Sequence, residues 1–415
     1  MNCYVSPSSI LSLQAAKDIA ANLTTQLDEV EHVHAREAKG RVLACNMLYT
    51  LPLPPFDQSA MDGFAINTGD LLEADVTRLF VGSQVFAGDR YIATHEQGGA
   101  VRVFTGAQMP GGTNAVVMQE HCVFDGSNVV VPASIKPGDN IRRKGEDIAI
   151  GSPMLSAGTK LDARHVAMMC ATGVTHIPVI RRLRVTAFTT GSELIEPGQA
   201  LVQGQIFDSN RFMLLSLLSR SAIELTDGGR LRDDMGMMSE RFAEASRSSD
   251  LIVASGGAGG SDADFMLEAV RKAGGEASPL RVALKPGKPS VMGNISDCAM
   301  LGLPGNPVAA LVNFLLFGET LIRRRTGCAA PDLQGLPAIS AGRFKHTPGK
   351  TEFVPARLAP SDSHNLRLEI LGRGGSARLS PLLAADGLAE IASEQDHIEP
   401  GSPLRFYPFS SLAWI

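Results

Sequence analysis

The sequence predicts a multidomain protein that combines an α/β domain with β domains, and three observations lead to this fold class. Its 415 residues exceed one ordinary core, and about 150 residues per domain gives roughly three domains. Between residues 184 and 325, strand-like and helical runs alternate, which indicates a mostly parallel sheet with helices on both faces, a three-layer α/β domain. Short apolar runs separated by glycine and proline turns precede and follow this region, which predicts a β-rich domain before it and a small β domain after it.

The individual elements follow from local patterns. Ser9 is expected to cap a helix in which Leu11, Ala15, Ile19 and Leu23 form one apolar face, and residues 163–172 form another helical segment. Strands are expected at residues 78–81, 101–104, 115–118, 128–131, 351–358, 366–371 and 404–407. The predicted domains are a discontinuous linking and dimerisation domain (1–50 and 148–180), a β-rich domain (51–147), the α/β domain (181–328) and a C-terminal β domain (329–415).

Composition excludes several classes of protein. A formal net charge of −5 offers no basic surface for nucleic acid, and no apolar run reaches the roughly 20 residues that a membrane span needs. The six cysteines form no C-x-x-C pair, which favours reduced thiols over a disulfide framework or a zinc site. The first residues do not resemble a signal peptide. A cytoplasmic protein without nucleic-acid or membrane partners is therefore expected.

The segment PFDQSAMDGFA, residues 55–65, places the carboxylate of Asp62 on a loop that follows three prolines. Such a stiff loop can present a carboxylate to a ligand at little cost in conformational entropy. The dipeptide Asp62-Gly63 is also typical of a plain hairpin turn, and taken alone it favours that interpretation.

Loops with anion-binding character follow the predicted strands of the α/β region. Residues 255–261, SGGAGGS, and residues 304–307, PGNP, each open a helix, where free backbone amides and the helix dipole suit an anion. Between them, prolines and a glycine hold Lys285 and Lys288 on a stiff loop. A flexible connector, an ordinary helix start and solvated lysines are the competing interpretations.

Carboxylates recur at the other loop ends of this region, at Glu193, Asp208 and Asp233. Each one alone is more typical of a helix cap or an exposed turn. Together, beside phosphate-binding loops, they favour Mg²⁺, which prefers hard oxygen ligands and shares them with substrate phosphates. His32 and His34 are interpreted as an exposed pair, because no third ligand lies nearby in the sequence.

Nine motifs occur in the order typical of one known family. They are FDQSAMDGFA, TGAQMP, AVVMQE, NIRRKGEDI, TGSEL, DSNR, RDD, KPGKP and GLPGNPV. In this combination the chain resembles the molybdopterin molybdenumtransferases, the MoeA family that includes the gephyrin E-domain. The resemblance implies an elongated homodimer of four domains whose active-site cleft includes residues of the partner subunit.

The same resemblance implies the activity. The reaction is insertion of molybdate into adenylylated molybdopterin, with Mg²⁺-dependent release of AMP. Molybdopterin adenylyltransferase and downstream molybdoenzymes are the implied partners. The implied catalytic residues are Asp62, Thr105, Asp147, Glu193, Asp233 and Asp264, of which Glu193, Asp233 and Asp264 would bind the metal. The implied cofactor-binding residues are Gly256, Gly257, Arg281, Lys285, Lys288, Pro304, Gly305, Asn306 and Ser376.

One departure from the family pattern favours an alternative function. The family usually has SGGVSVG where this chain reads SGGAGGS at residues 255–261, so a hydroxyl group is lost or displaced. A non-catalytic scaffold, or a cofactor-binding accessory protein for a particular molybdoenzyme, is the alternative that this loop favours.

Overall fold

The computed structural model describes residues 10–90, 94–257, 263–287, 289–331, 333–360, 365–372 and 378–410, with the side chains of residues 263 and 264 excepted. These residues fall into two compact units. The smaller unit comprises Asn46–Ser156 and Ala167–Thr175. The larger unit comprises the described residues up to Cys45, Ala157–Val166 and those from His176 onward.

The described residues form short strands and helices. The strands are, in chain order, β1 Val30–His34, β2 Met47–Leu48, β3 Gln58–Ser59, β4 Gly63–Ile66, β5 Val76–Val85, β6 Gly99–Val103, β7 Ala115–Met118, β8 Val123–Phe124, β9 Asn128–Pro132, β10 Ile141–Arg142, β11 Pro153–Leu155, β12 His176–Ile180, β13 Leu183–Thr190, β14 Leu194–Ile195, β15 Ile206–Phe207, β16 Ile223–Leu231, β17 Leu251–Ser255, β18 Glu276–Leu280, β19 Leu284–Lys285, β20 Ser290–Ile295, β21 Cys298–Leu303, β22 Leu336–Ser340, β23 Phe344–Lys345, β24 Thr351–Ala359, β25 Leu366–Ile370, β26 Gly387–Ile391, β27 His397–Ile398 and β28 Pro403–Pro408. The helices are α1 Leu13–Asn22, α2 Ala163–Ala171, α3 Ser209–Leu218, α4 Met235–Ser246, α5 Ala263–Lys272, α6 Pro307–Asn313, α7 Glu319–Thr326 and α8 Ser380–Leu383, and a π-helical turn, Phe314–Gly318, joins α6 to α7.

The smaller unit is built on a sheet with the strand order β7-β4-β6-β5-β9-β8. Its pairings are antiparallel except for β5 with β6, which run parallel. Period-two alternation lets both faces of β7 pack, because Val117 lies in one buried cluster and Val116 in another. The β-rich domain expected from the sequence is therefore present.

The larger unit contains the α/β sheet, with the strand order β16-β13-β17-β21-β20-β18. The first three pairings are parallel and the last two are antiparallel. Leu251 and Val253 of β17 pack on the side of α3 and α6, whereas Ile252 and Ala254 pack on the side of α4 and α5. Helices therefore cover both faces of this sheet, which confirms the predicted three-layer α/β fold.

The C-terminal strands form a separate sheet with the order β19-β24-β25-β22-β28-β26, and β26 also pairs with β24. This second pairing closes the strands from β24 to β26 into a small barrel. It protects their backbone edges, since each strand of the ring has a partner on both sides. The expected C-terminal β domain is present, and β19 joins it to the α/β region.

The first helix differs in its start from the prediction. Ser12 caps α1, because its Oγ accepts the backbone N–H of Ala15 at 3.1 Å. Ser9, the predicted cap, lies outside the described residues. Ile19 and Leu23 pack against the core as predicted. No helix in the described parts of the chain is long and apolar enough to cross a membrane.

Candidate active site

The loop that carries Asp62 meets Thr105 in the smaller unit. The backbone N–H and the hydroxyl group of Thr105 both donate to Oδ1 of Asp62, at 2.8 and 2.7 Å. The contact arises because β4 pairs with β6, with Gly63 opposite Val103. These two hydrogen bonds, the backbone one first, hold the pKa of the Asp62 carboxyl below its usual range. The geometry therefore presents a fixed, ionised carboxylate.

Asp57 fastens the same loop to the NIRRKGEDI motif. Its carboxylate accepts the backbone N–H of Lys144 at 2.8 Å and the Arg143 guanidinium at 2.9 Å. The N–H of Lys144 is the main cause that lowers the pKa of Asp57. Asp147 is exposed in that motif, and its backbone N–H donates to the carbonyl of Leu53 at 3.1 Å. The structure thus brings together three motifs of the smaller unit, FDQSAMDGFA, TGAQMP and NIRRKGEDI.

In the larger unit, the loops after β13 and β16 are joined at the carboxyl edge of the sheet. Oδ2 of Asp233 accepts the backbone N–H of Ser192 at 2.9 Å, and Oγ of Ser192 accepts the N–H of Asp233 at 3.2 Å. Glu193 is exposed next to Ser192, with its carboxylate folded over Gly191. Two of the predicted carboxylates therefore lie on loops that contact each other.

The loops after β17 and β21 meet at the same edge. The side-chain amide of Asn210 donates to Oγ of Ser255 at 2.8 Å and to the carbonyl of Gly305 at 2.7 Å. Gly256 has φ 100°, and a Cβ at this position would lie 2.2 Å from the carbonyl oxygen of Thr190. Only glycine permits this approach, as expected for a loop whose backbone faces a ligand. Gly257 follows Gly256, and Asn306 precedes α6, which starts at Pro307.

Two carboxylates of these loops, the predicted candidate Asp208 and the neighbour of Asp233 in the RDD motif, have a structural role. Oδ1 of Asp208 accepts the N–H of Arg211 at 3.1 Å as the N-cap of α3, and its Oδ2 accepts the hydroxyl of Thr189. Asp234 caps α4 through the N–H of Met237 at 2.9 Å. For these two carboxylates the alternative of a helix cap is the correct one.

Two buried oxygen atoms at this edge of the sheet are candidates for contact with a ligand or ion. Among the described residues, the hydroxyl of Thr190 and Oδ1 of Asn210 are buried without a hydrogen-bond partner. Buried oxygens without partners are costly unless a ligand or ion completes them. Among the described side chains, no three His, Cys, Asp or Glu side chains converge as for a metal ion. An all-oxygen set still fits Mg²⁺, which binds through one or two carboxylates together with substrate phosphates.

The KPGKP loop is tied to the C-terminal barrel. Nζ of Lys285 lies 3.0 Å from Oε1 of Glu352, whose side chain is 2% exposed, and the parallel pairing of β19 with β24 sets the two residues side by side. His346 is buried against Glu352, with Nε2 3.8 Å from Oε2. The sequence motif predicts that Lys285 faces anions, and it does not indicate Glu352 as a partner. A single carboxylate at an inward position of an apolar strand was the available signal.

The remaining predicted site residues are either exposed without a described ligand contact or outside the described residues. Arg281 is exposed, and its carbonyl accepts the N–H of Leu11 at 2.8 Å. Lys288, Ser376 and residues 258–262 lie outside the described residues, as does the side chain of Asp264. Their assignments stay predictions.

Family models match three consecutive stretches of the chain. The MoeA N-terminal region (domain I and II) matches residues 11–173. The probable molybdopterin binding domain matches residues 186–324, and the MoeA C-terminal region (domain IV) matches residues 337–409. These stretches contain all the motifs that gave the resemblance.

Relatives match nearly the whole chain. The molybdopterin molybdenumtransferase of Haemophilus influenzae is 31% identical over 386 residues, which cover 92% of this chain and 95% of the relative. The molybdopterin molybdenumtransferase of a Nostoc species is 34% identical over 350 residues, or 82% of this chain and 80% of the relative. The crystal structure of the molybdopterin biosynthesis MoeA protein from Pyrococcus horikoshii OT3 is similar with a TM-score of 0.80 and 28% identity, and the match covers 96% of this chain and 100% of that chain. The resemblance read from the motifs is confirmed, and this chain belongs to the MoeA family of molybdopterin molybdenumtransferases.

Proposed function

We propose that this protein inserts molybdate into adenylylated molybdopterin and releases AMP. Membership in the family makes it a transferase of molybdenum cofactor biosynthesis. The main support for this specific reaction is the Asp62–Thr105 pair, in which two hydrogen bonds favour the ionised form of the carboxylate. Such fixed charge acts mainly on a transition state, because it need not reorganise during the reaction.

The loops at the carboxyl edge of the α/β sheet are proposed to bind the substrate. Ligands of open α/β sheets bind where the carboxyl ends of the parallel strands meet. The backbone at Gly256, Gly257, Pro304, Gly305 and Asn306 would approach the phosphates. The cationic side chains of Arg281, Lys285 and Lys288, with Ser376, would face molybdate and the phosphates.

Mg²⁺ is proposed as the metal of the reaction. Glu193, Asp233 and Asp264 would hold it, beside the unpartnered oxygens of Thr190 and Asn210. When bound, the ion would neutralise the charge of the phosphates during cleavage of the anhydride. Asp62, Thr105 and Asp147 would position the reacting groups and stabilise developing charge.

The alternative of a non-catalytic scaffold or accessory protein is not favoured. The relatives that match over most of their length are named as transferases. The two functions differ in one measurement, AMP release from adenylylated molybdopterin with Mg²⁺ and molybdate. The proposed enzyme releases AMP, and it releases less when either Mg²⁺ or molybdate is left out. A scaffold binds molybdopterin and releases no AMP under any of these conditions.

A homodimer with shared active sites is also proposed. The family resemblance, which implies a cleft that includes residues of the partner subunit, supports this proposal. Asp62 and Thr105 belong to one compact unit, whereas Glu193 and Asp233 belong to the other. Mixing the inactive variants Asp62→Asn and Asp264→Asn should restore part of the activity if each site takes its two groups from different subunits. Sedimentation as a monomer, or no rescue after confirmed subunit exchange, would contradict the shared site.

A cytoplasmic location is also proposed. The described cysteines Cys45, Cys122, Cys170, Cys298 and Cys328 are free thiols, which suits a reducing compartment. Molybdopterin adenylyltransferase would supply its substrate, and molybdoenzymes would take its product.

A further inference from the structure

Two aromatic rings stack where β5 and β6 end. These strands run parallel with Val85 opposite Val103, so the residues that follow, Phe86 and Phe104, leave the sheet side by side. Their ring centroids are 4.4 Å apart and their planes differ by 7°. This is a face-to-face stack in which Phe104 covers one face of Phe86.

A cation also lies over the Phe104 ring. The Arg102 guanidinium lies 5.3 Å from the centroid of Phe104 and 5.6 Å from that of Phe124. Phe104 therefore contacts both Arg102 and Phe86. Phe86 in contrast is 45% exposed, and its stack with Phe104 occupies one face of its ring.

The backbone that carries Phe86 is also fixed. Its N–H donates to Oδ2 of Asp89 at 2.8 Å, and the N–H of Asp89 donates to the Phe86 carbonyl at 3.2 Å. The turn after Phe86 lies against the turn after Phe104, since a Cβ on Gly106 would lie 3.6 Å from Cβ of Ala87. The exposed ring is thus ordered before any ligand arrives.

The stack adjoins the proposed catalytic carboxylate. Phe104 directly precedes Thr105, which donates both of its hydrogen bonds to Asp62. The charge of Arg102 also reaches Asp62. A flat ligand on Phe86 would therefore lie along the same sheet end as the Asp62–Thr105 pair.

We propose that the exposed face of Phe86 stacks against a flat heteroaromatic ring of the substrate. This inference rests on the proposed function, because adenylylated molybdopterin carries two such rings, the pterin and the adenine. Stacking on an aromatic side chain suits either ring system, since adenine and the pyrimidine ring of the pterin each present a planar π face. Phe86 would position the substrate and would take no part in bond breaking.

The test uses the full-length protein with three substitutions. Phe86→Leu removes the aromatic face and Phe86→Tyr keeps it. Phe80→Leu is the matched control, because Phe80 lies on β5, the strand that Phe86 follows, and is 54% exposed. KM and kcat are measured from AMP release, and the binding of AMP and of molybdopterin is measured separately by titration calorimetry. Melting temperatures report folding, and Phe86→Met replaces Phe86→Leu if the latter does not fold.

Phe86→Leu is expected to raise KM about tenfold with kcat nearly unchanged, the size of one lost stacking contact. Phe86→Tyr should restore the wild-type KM, and Phe80→Leu should not change it. Weaker binding of AMP in Phe86→Leu assigns the ring to adenine, and weaker binding of molybdopterin assigns it to the pterin.

Two results would overturn the inference. One is a folded Phe86→Leu protein that binds both ligands as the wild type does. The other is an equal rise of KM in Phe86→Leu and Phe80→Leu, which would mean that Phe86 only supports the sheet. These results can be told apart from a failure of the proposed function. If the wild type releases no AMP, the proposed function is wrong, and the binding of AMP and molybdopterin by the variants still decides the role of Phe86.

Discussion

Replacing Lys285 with alanine should destabilise the larger unit, because Lys285 neutralises a buried carboxylate. Its Nζ lies 3.0 Å from Oε1 of Glu352, which is 2% exposed. Removing one partner of a fully buried pair costs about 3–5 kcal/mol. Lys285 is 40% exposed, so water screens the pair and enters when the lysine is removed. The expected loss in the free energy of unfolding is therefore about 1–3 kcal/mol.

A double-mutant cycle measures this contribution. The variants are Lys285→Ala, Glu352→Gln and the double variant, unfolded in denaturant and followed by circular dichroism. The double variant should lose less stability than the sum of the single variants, since the second change removes the charge that the first one left without its lysine. The reasoning is refuted if the two single effects add, or if Lys285→Ala unfolds as the wild type does. Lys285→Arg, which keeps the charge, is the control.

Three further predictions follow from local geometry. Gly256→Ala should lower the melting temperature and the affinity for molybdopterin, because the added Cβ would lie 2.2 Å from the carbonyl oxygen of Thr190 at a φ of 100°; an unchanged melting temperature would contradict the close approach. Exposed Cys45 should react with a thiol reagent at pH 8, whereas Cys298 should react only on unfolding, since burial raises its pKa to about 12; mass spectrometry of the modified peptides decides this. The side-chain hydrogen bond from Arg211 lowers the pKa of Asp227. The ionised Asp227 carboxylate therefore contributes its full stabilisation above about pH 4, and this stabilisation is lost as the pH falls through the pKa of the folded state. The melting temperature of Asp227→Asn should fall less than that of the wild type between pH 7 and pH 3.

The sequence predicted those elements whose local residue pattern favours the same secondary structure as their packing in the fold. The strand Ala115–Met118 has the predicted bounds, since an uninterrupted run of apolar residues becomes a strand buried on both faces. The antiparallel strands Glu276–Leu280 and Ser290–Ile295 were not predicted. Pro279 and Gly293 lower their β propensity, and the pairing between the two strands overrides it.

In the candidate site too, the sequence predicted single residues but not the contacts between distant ones. The motifs supplied Asp62 and Thr105, which are 43 residues apart, but only the pairing of β4 with β6 brings them together. Ser9 and Ser12 are both suitable cap residues, so helical spacing could not choose between them. The partner of Lys285 could not be predicted either, because Glu352 is buried by a barrel that forms from distant strands.

The central claim, that Asp62 is a catalytic carboxylate in an enzyme that releases AMP, is tested by one comparison. AMP release from adenylylated molybdopterin, with Mg²⁺ and molybdate, is measured for the wild type, Asp62→Asn and Asp125→Asn. Asp125 is the matched control, since its Oδ1 also accepts two hydrogen bonds in a turn of the same unit, here from backbone N–H groups at 2.9 and 2.7 Å. Asp62→Asn should release AMP on the order of 10²-fold more slowly with molybdopterin binding nearly intact, and Asp125→Asn should keep the wild-type rate. A folded Asp62→Asn protein that releases AMP at the wild-type rate would contradict the account, because asparagine keeps the shape of the turn and loses only the charge.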